Sequence, residues 1–395
     1  MTHTTRVGFI GTGPDPDRPD TTGYAMAYRH ASGYERLDDC ELVACADIVP
    51  ENAAAFAEKH GIDDEHVYTD YREMLAECDL DVVSVCTPPG THHELVLGAA
   101  RSGQVGAIHC EKPLAKTLPD AREMVEVCEA EGVQLTVNHQ YRYGKPFAKA
   151  KTLLDGGAIG ELRRFEFGHT TLYDTGSHYF DLCNWYNDYA DVEWVLAGLD
   201  YREENRMFGA HNENQGLAQW RYENGVFGLA STGWGDEFVD CLLRIRGSEG
   251  EIEIGSSSGD LRYRNAHTDG RWKVVDTDGD TVWGPTAGRV GAGLKRVLPR
   301  IADRLVARLE GPSFIDRAIE GVVTAYREGR TPELDARRAL ASQELAFAAW
   351  ESVRRRGRVD LPLDVEDNPL EAMVEAGELD PAPAEDPETQ RSPSS

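Results

Sequence analysis

Over the first 140 residues, short apolar runs alternate with longer stretches in which apolar and polar residues recur with helical spacing. The apolar runs predict strands at residues 6–11, 41–47, 81–87, 106–110 and 133–138, and the intervening stretches predict helices at 51–60, 69–76, 92–102 and 119–131. Strands that are apolar along nearly their whole length are covered on both faces, and strands that alternate with helices form a parallel sheet. The pattern therefore predicts an α/β fold whose N-terminal domain, residues 1–139, is a doubly wound Rossmann domain.

The pattern changes near residue 145. A helix at 146–155 is followed by strand-like runs, separated by short turns, at residues 162–170, 217–222, 225–232, 241–247 and 251–254. Consecutive strands joined by short turns pair in an antiparallel way, so we expect an α+β domain with an open, mostly antiparallel sheet over residues 140–362. Further helices are predicted at 291–309, 314–328 and 335–355. Residues 363–395 are acidic and then rich in Pro and Ser, which predicts a disordered tail.

The charge of the chain narrows the class of partner. There are 69 acidic and 41 basic residues, a net charge of −28, and eight of the basic residues are lysines. Because a polyanion needs a basic face on its partner, nucleic acid is disfavoured as a ligand. The acidic, lysine-poor composition resembles that of salt-adapted proteins, in which salt screens the self-repulsion. We therefore expect a halophilic protein; a merely acidic bacterial enzyme is the alternative.

The sequence contains no run of 18 apolar residues and no signal-peptide pattern, which predicts a cytoplasmic location without membrane attachment. The eight cysteines include no Cys-x-x-Cys pair and no His/Cys cluster with zinc spacing. We therefore expect free thiols and no metal site.

A glycine-rich turn, Gly11-Thr12-Gly13, follows the first predicted strand. Such a turn lets the backbone approach a pyrophosphate, which then lies at the positive end of the next helix. The third glycine of the usual motif is displaced by the insertion 14–22, and Gly23 is predicted to begin the helix. Taken alone, this interrupted motif also fits an ordinary turn.

Two further positions give the turn a context. Asp47 ends the second predicted strand, where a carboxylate accepts hydrogen bonds from ribose hydroxyls and repels a 2′-phosphate. NAD is therefore favoured over NADP. The alternative is that Asp47 is an exposed loop aspartate that does not contact a cofactor. The run Thr87-Pro-Pro-Gly-Thr-His92 follows the next strand of the sheet and places Thr87, Pro88 and His92 beside a nicotinamide ribose. A proline-rich connecting loop without such a contact is equally compatible.

The candidate reaction centre begins with Glu111-Lys112-Pro113 at the end of a predicted strand. An ammonium at this edge can stabilise alkoxide character on a hydroxyl oxygen that is being oxidised. Further along the chain, Asp174 and His178 are four residues apart near a predicted helix start. A histidine is the natural general base for an alcohol, and an aspartate can orient it or bind a substrate hydroxyl. The alternative is a capping aspartate followed by a buried, structural histidine.

Three motifs, namely the run from Thr87 to His92, Glu111-Lys112-Pro113, and Asp174 with His178, occur in a characteristic order and spacing. In this they resemble the glucose–fructose oxidoreductase / inositol dehydrogenase / rhizopine-catabolism (Gfo/Idh/MocA) family. The resemblance implies a Rossmann domain followed by an α/β domain, and a homodimer or homotetramer formed through the outer face of its sheet. It also implies that Lys112 acts in substrate binding and catalysis, Asp174 on substrate and His178 as general acid/base. Glu111 is assigned to the cofactor, and Arg142 and Tyr173 are assigned to the substrate.

We therefore expect an NAD-dependent dehydrogenase that oxidises a secondary hydroxyl of a sugar, sugar acid or cyclic polyol. One alternative is an enzyme of the same fold that retains NAD and cleaves glycosides by transient oxidation. Another is a non-catalytic dinucleotide-binding regulator. The predicted helix 291–309 is the one basic stretch, for which a solvated amphipathic face is favoured over contact with an acidic partner.

Overall fold

A computed structural model describes residues 4–16, 25–285 and 311–383. Its first half contains a parallel six-stranded sheet in the order β3-β2-β1-β4-β5-β6. The strands are β1 (Thr5–Ile10), β2 (Cys40–Ala46), β3 (Val67–Tyr68), β4 (Val82–Val85), β5 (Ala107–Cys110) and β6 (Gln134–Val137). The connecting helices are α1 (Met26–Tyr34), α2 (Pro50–His60), α3 (Tyr71–Glu77), α4 (Pro89–Arg101) and α5 (Leu118–Ala130). This strand order is that of the doubly wound dinucleotide-binding fold, so the predicted fold class is confirmed.

Both faces of the parallel sheet are covered, as its apolar strands require. On one face Phe9 packs against Tyr34 of α1 and Phe56 of α2, with ring centroids 6.0 and 4.9 Å apart. Its neighbour Ile10 points to the other face and joins the core beneath α3, α4 and α5. The ends of β1, β2, β4 and β5 therefore meet at one edge, where ligands bind in this class of sheet.

The second half contains a nine-stranded mixed sheet, in the order β16-β15-β14-β13-β7-β12-β11-β8-β19. Only the β7–β12 pair within it is parallel. Its first elements are α6 (Lys145–Asp155), β7 (Leu162–His169), α7 (Gly176–Tyr186) and β8 (Val192–Asp200). They are followed by β9 (Arg206–Met207), β10 (Ala210–His211), β11 (Gln215–Tyr222), β12 (Phe227–Gly233), β13 (Cys241–Gly247), β14 (Gly250–Ser256), β15 (Gly259–Asn265), β16 (Lys273–Val274), β17 (Asp280–Thr281) and β18 (Gly284–Pro285). The mostly antiparallel sheet was predicted, whereas β8, the β9–β10 hairpin and the strands β15 to β18 were not.

The last described segment holds α8 (Phe314–Glu328), α9 (Ala336–Arg355), β19 (Val359–Asp360) and α10 (Pro369–Glu375). Helix α9 packs with α7 over the nine-stranded sheet. Helix α8 instead packs against α1 and the parallel sheet, where Ile315, Ile319 and Val323 are buried with Phe9. The chain thus returns to complete the cover of its first sheet, although the sequence analysis grouped this helix with residues 140–362.

The expectation of disorder beyond residue 363 is wrong for residues 363–383. Leu363, Val365, Leu370 and Met373 are buried in the larger core, and Asn368 caps α10 through the amides of the next turn. Four apolar side chains in a short acidic segment are sufficient to hold it on the surface of a larger domain. The rest of the tail and the predicted helix 291–309 lie outside the described residues.

Two observations bear on the chain as a whole. Within the described ranges, no helix combines the length and apolar character that crossing a bilayer requires. All eight cysteines are unpaired.

Candidate active site

The loop after β1 requires glycine at its first position. Gly11 has a φ of 79°, in the left-handed region, and a Cβ added there would lie 2.3 Å from Cγ2 of Thr87. Gly13 also has a positive φ, of 65°. The loops after β1 and β4 therefore approach each other more closely than any side chain at residue 11 would allow.

Asp47, directly after β2, holds this loop in place. Its Oδ2 accepts hydrogen bonds from the Thr12 amide (2.8 Å), the Thr12 hydroxyl (3.1 Å) and the Gly13 amide (3.0 Å). Its Oδ1 accepts from the Val49 amide at 2.9 Å. The carboxylate is thus fixed at the edge of the sheet where β1 and β2 end.

A cavity of about 660 Å³ opens above this loop, and we call it the glycine-loop cavity. Gly11, Gly13 and Asp47 line one side of it, together with the side chain of Ile48, which is 90% exposed. Other lining residues are Asp70, Arg72, Thr87, Pro88, Thr91, Glu94 and Phe208. Gly23, which was assigned to the cofactor, lies outside the described residues.

A second cavity, of about 420 Å³, adjoins the first, and we call it the lysine cavity. The two share Cys86, Thr87, Pro88 and Phe208, so they form one continuous groove. The lysine cavity is lined from the first domain by Met26, Arg29, Glu111 and Lys112, and from the second by Gln140, Tyr141, His169, Thr170, Asp174, Thr175, His178 and Met207.

The structure brings Lys112 and Asp174 into direct contact across the two domains. Nζ of Lys112 donates to Oδ1 of Asp174 at 2.8 Å and to the Asp174 carbonyl at 3.2 Å. Lys112 follows β5 and Asp174 precedes α7, and both side chains are largely buried. A pair of opposite charges removed from water interacts more strongly than one at the surface.

His178, in the first turn of α7, faces the same cavity and is 4% exposed. Its ring is stacked on that of Tyr141, with centroids 4.3 Å apart and planes 15° apart. Burial, and then the nearby charge of Lys112, hold the pKa of His178 well below its ordinary value. The imidazole is therefore neutral at physiological pH and able to accept a proton.

Glu111 lies at the base of the lysine cavity within a buried hydrogen-bond network. Its Oε1 accepts from Asn138 Nδ2 at 2.7 Å and lies 2.8 Å from His30 Nε2. Burial alone would raise the pKa of Glu111, but the contacts with His30, Asn138 and Lys112 outweigh it and lower the pKa to about 2. Glu111 is thus a carboxylate whose oxygens are engaged by protein, which differs from a simple cofactor contact. Neither His30 nor Asn138 was identified from the sequence.

His92 does not face either cavity, so its assignment as a cofactor contact is corrected. It is fully buried, with Nδ1 3.0 Å from the Pro113 carbonyl and Nε2 2.8 Å from the Thr87 carbonyl. The ring therefore joins the loop after β4 to the loop after β5. It thereby links the backbone at Thr87 to the backbone at Pro113 and Leu114.

Arg142 and Tyr173 do not line the cavities either, so neither is a substrate contact in this structure. Nε of Arg142 donates to Oδ2 of Asp181 at 2.6 Å, and Nη2 donates to the other carboxylate oxygen. The hydroxyl of Tyr173 donates to the Ala115 carbonyl at 2.6 Å. Both residues lie where the sequence analysis expected, near the cleft, but their side chains point into the protein, which sequence position does not determine.

The β9–β10 hairpin supplies a lining residue that the sequence analysis missed. Phe208 at its tip lines both cavities from the second domain, with a φ of 53° and an exposed fraction of 39%. The dipeptide Phe208-Gly209 is a turn signal, but nothing in the sequence shows where the hairpin points.

The fold and the two joined cavities define a dinucleotide-binding Rossmann protein with a second domain that completes its site. Residues 6–139 match the family model of the oxidoreductase family with an NAD-binding Rossmann fold, and residues 160–361 match the model of its C-terminal alpha/beta domain. The chain belongs to the Gfo/Idh/MocA family of oxidoreductases.

Similar proteins of this family include dehydrogenases of sugars and polyols. The chain is 27% identical over 347 residues to a D-apiose dehydrogenase from Paraburkholderia graminis, covering 79% of this chain and 88% of the relative. It is 25% identical over 263 residues to a myo-inositol 2-dehydrogenase from Thermotoga maritima, covering 62% of this chain and 74% of that relative. An oxidoreductase from Agrobacterium radiobacter, solved with NAD⁺, L-tartaric acid and magnesium, has a TM-score of 0.69 at 20% identity, covering 90% of this chain and 98% of that one.

Proposed function

We propose that this protein is an NAD-dependent dehydrogenase that oxidises a secondary hydroxyl of a sugar, sugar acid or cyclic polyol. The observation that carries the proposal is the contact of Lys112 with Asp174 in a cavity that also contains the neutral imidazole of His178. The same cavity opens into the glycine-loop cavity through Thr87 and Pro88. The names of the sugar and polyol dehydrogenases among its relatives agree with this substrate class.

The residues of the glycine-loop cavity fit a dinucleotide. Gly11 leaves space that a Cβ would fill, and the carboxylate of Asp47 reaches the cavity at the end of β2, where ribose hydroxyls are bound in this fold. Thr87 and Pro88 then lie between the two cavities, where the nicotinamide end is expected. When bound, NAD supplies the hydride acceptor.

In the proposed reaction, neutral His178 takes the proton from the substrate hydroxyl as general base. Lys112 donates a hydrogen bond to the same oxygen and stabilises the negative charge that develops on it. Asp174 orients the ammonium of Lys112 and can accept a hydrogen bond from a neighbouring substrate hydroxyl. Tyr141 is a poor alternative base, because burial and then the charge of Asp174 raise its pKa to about 12.

Charge in the glycine-loop cavity supports NAD over NADP. Asp47, Asp70 and Glu94 contribute carboxylates, and the only cationic side chain lining it among the described residues is Arg72. Arg72 donates to Glu94 at 2.6 Å, so its charge is already balanced. A 2′-phosphate in this cavity would meet uncompensated negative charge.

The test incubates the protein with a panel of sugars, sugar acids and cyclic polyols and with NAD or NADP, at low and high salt. The absorbance of the reduced cofactor, NADH or NADPH, measures turnover. We expect NADH formation with at least one member of the panel and a preference for NAD. No turnover with any member at either salt concentration contradicts the proposal. Release of a sugar from a glycoside without accumulated NADH would indicate the cofactor-retaining alternative instead.

We also propose a salt-adapted cytoplasmic protein that forms homodimers or homotetramers through the outer face of the nine-stranded sheet. The net charge of −28 supports salt adaptation. Leu196 and Leu217, on paired strands β8 and β11, are 44% and 48% exposed and lie on the same face. We expect light scattering to show an oligomer that Leu217→Glu dissociates, and we expect the melting temperature to rise with added KCl.

A further inference from the structure

Two adjacent buried histidines each have a ring nitrogen for which the described residues supply no hydrogen-bond partner. These atoms are Nδ1 of His178 and Nε2 of His139. The two rings meet edge to face, with centroids 5.4 Å apart and planes 70° apart. No hydrogen bond joins the two nitrogens in this structure, but a buried polar atom without a partner is costly and rare, so a rotation of either ring that pairs them directly would satisfy both.

The other nitrogen of His139 shows which of the two can donate. Nδ1 of His139 lies 3.3 Å from Oδ1 of Asp181. Burial would raise the pKa of Asp181, but Arg142 and His139 outweigh it and lower the pKa to about 2, so Asp181 is an ionised acceptor. Nδ1 of His139 therefore carries a hydrogen, and in the neutral ring Nε2 is left with only a lone pair.

In that direct pairing, the lone pair on Nε2 of His139 requires a donor on His178. That donor is Nδ1–H, so Nε2 of His178 is the nitrogen with the free lone pair. Since Nδ1 is shielded from solvent, Nε2 is also the nitrogen left to face the lysine cavity, which His178 lines. This is the tautomer that a general base needs.

We propose that His139 is a positioning residue: through its bond to Asp181 it fixes His178 in the Nδ1–H tautomer and stabilises the imidazolium formed when His178 accepts the substrate proton. The inference rests on the proposed function and adds to it a buried Asp181–His139–His178 chain. His139 itself does not line either cavity, so it acts through His178 alone.

The charged and titratable groups around His178 come from several elements. Lys112 after β5 and His169 at the end of β7 both lower the pKa of His178, as does His139 when it is charged. The ring of Tyr141 covers one face of the imidazole. Lys112 and His139 each contact a carboxylate, Asp174 and Asp181 respectively, and the contact with Asp181 offsets positive charge on the histidine pair.

A pair of variants at residue 139 tests the proposal. His139→Gln keeps a donor for Asp181 and an acceptor for His178, whereas His139→Leu keeps neither. We expect His139→Leu to lower kcat about 10- to 100-fold with KM values within about twofold of wild type, and His139→Gln to recover most of the loss. In His139→Leu the acid limb of the kcat profile should move to lower pH, because the imidazolium has lost its acceptor.

Two results in that experiment overturn the proposal. One is a His139→Leu variant with wild-type kcat and pH profile. The other is a His139→Gln variant whose kcat and melting temperature are both lowered as much as those of His139→Leu. That result would show that residue 139 contributes only to packing.

A second measurement does not depend on turnover. Nitrogen-15 NMR of protein labelled at histidine, with the His178 signal assigned through His178→Gln, reports which ring nitrogen carries the hydrogen. We expect Nδ1–H in wild type and a mixture of tautomers in His139→Leu. An Nε2–H tautomer in wild type overturns the inference. If no sugar is oxidised yet Nδ1–H is found, the proposed function fails while the positioning by His139 stands.

Discussion

Nζ of Lys112 lies 2.8 Å from Oδ1 of Asp174, and this contact joins the end of a Rossmann strand to the loop just before α7 in the second domain. The two residues are 62 positions apart in the chain. Their pairing makes the proposed catalytic site a property of both domains, because neither domain alone contains Lys112, Asp174 and His178. A movement of one domain against the other would therefore change the position of the ammonium relative to His178.

Replacement of Lys112 should remove transition-state stabilisation while leaving the cofactor in place. We expect Lys112→Ala to lower kcat/KM about 10²- to 10³-fold, since one hydrogen-bond donor to the developing oxyanion is lost. The NAD dissociation constant, measured by tryptophan fluorescence, should stay within about twofold because the glycine-loop cavity is untouched. Asp174→Asn is the matched variant: it keeps the shape and leaves Lys112 without its carboxylate partner, so a smaller loss is expected. A Lys112→Ala variant that retains full activity would falsify the proposed role.

Replacement of Gly11 should separate steric collision from backbone strain. In Gly11→Ala the residue must adopt a positive φ, and its new Cβ also lies 2.3 Å from Cγ2 of Thr87. Gly61 has a similar φ of 71°, but no atom lies near the position of a new Cβ there. We expect Gly61→Ala to lower the free energy of unfolding by about 1 kcal/mol, and Gly11→Ala to lower it by about 1–3 kcal/mol more. NAD affinity should fall only in Gly11→Ala. Equal destabilisation of the two variants in urea titrations would contradict the close approach of the two loops.

The sequence predicted the parts of this site that depend on strand ends. Lys112 follows β5, and the carboxyl edge of a parallel sheet is where such a side chain meets ligand, so its place in the lysine cavity was foreseeable, whereas its hydrogen bond to Asp174 was not predicted. Arg142 and Tyr173 also lie near this edge, yet their side chains point away from the cavity. Position along the chain determines which edge a residue reaches, whereas the direction of its side chain depends on packing against distant elements.

Other features had no local signal at all. His30 reaches Glu111 from α1, 81 residues earlier in the chain, and no spacing rule relates the two. The tail around Leu370 was misassigned because its composition is acidic, although a few apolar side chains hold it on a core formed elsewhere. In both cases the decisive contacts are long-range ones.

Cofactor choice should depend on Asp47. We expect Asp47→Ser to lower kcat/KM with NAD, because a ribose acceptor is lost, and to raise it with NADP, because a negative charge is removed. The double variant Asp47→Ser with Ile48→Arg should shift the ratio of kcat/KM values further towards NADP. The shift is about tenfold for each 1.4 kcal/mol by which the new arginine stabilises the bound 2′-phosphate. Since Asp47 also holds the amides of Thr12 and Gly13, melting temperatures need to be measured alongside. A ratio unchanged in both variants would show that Asp47 does not face the ribose.

Buried histidines should make the protein less stable as the pH falls from 7 to 5. Burial lowers the pKa of His92 and of His178, and lowers that of His109 to about 3. Below about pH 6.5 the unfolded chain binds protons at these rings that the folded protein does not, so the free energy of unfolding falls with pH, by up to about 1.4 kcal/mol per pH unit for each group.

Urea titrations at about 1 M KCl test this, because at that salt concentration the Debye length is about 3 Å and the self-repulsion of the acidic surface is screened. Glu111 and Asp181, whose pKa values are about 2, remain ionised in the folded protein throughout this range. His109→Leu removes one of the histidine rings whose pKa is lowered in the folded protein, so its slope against pH should be shallower than that of wild type by up to about 1.4 kcal/mol per pH unit. A stability that stays constant or increases from pH 7 to pH 5 at high salt, with no difference in slope between His109→Leu and wild type, would contradict the prediction.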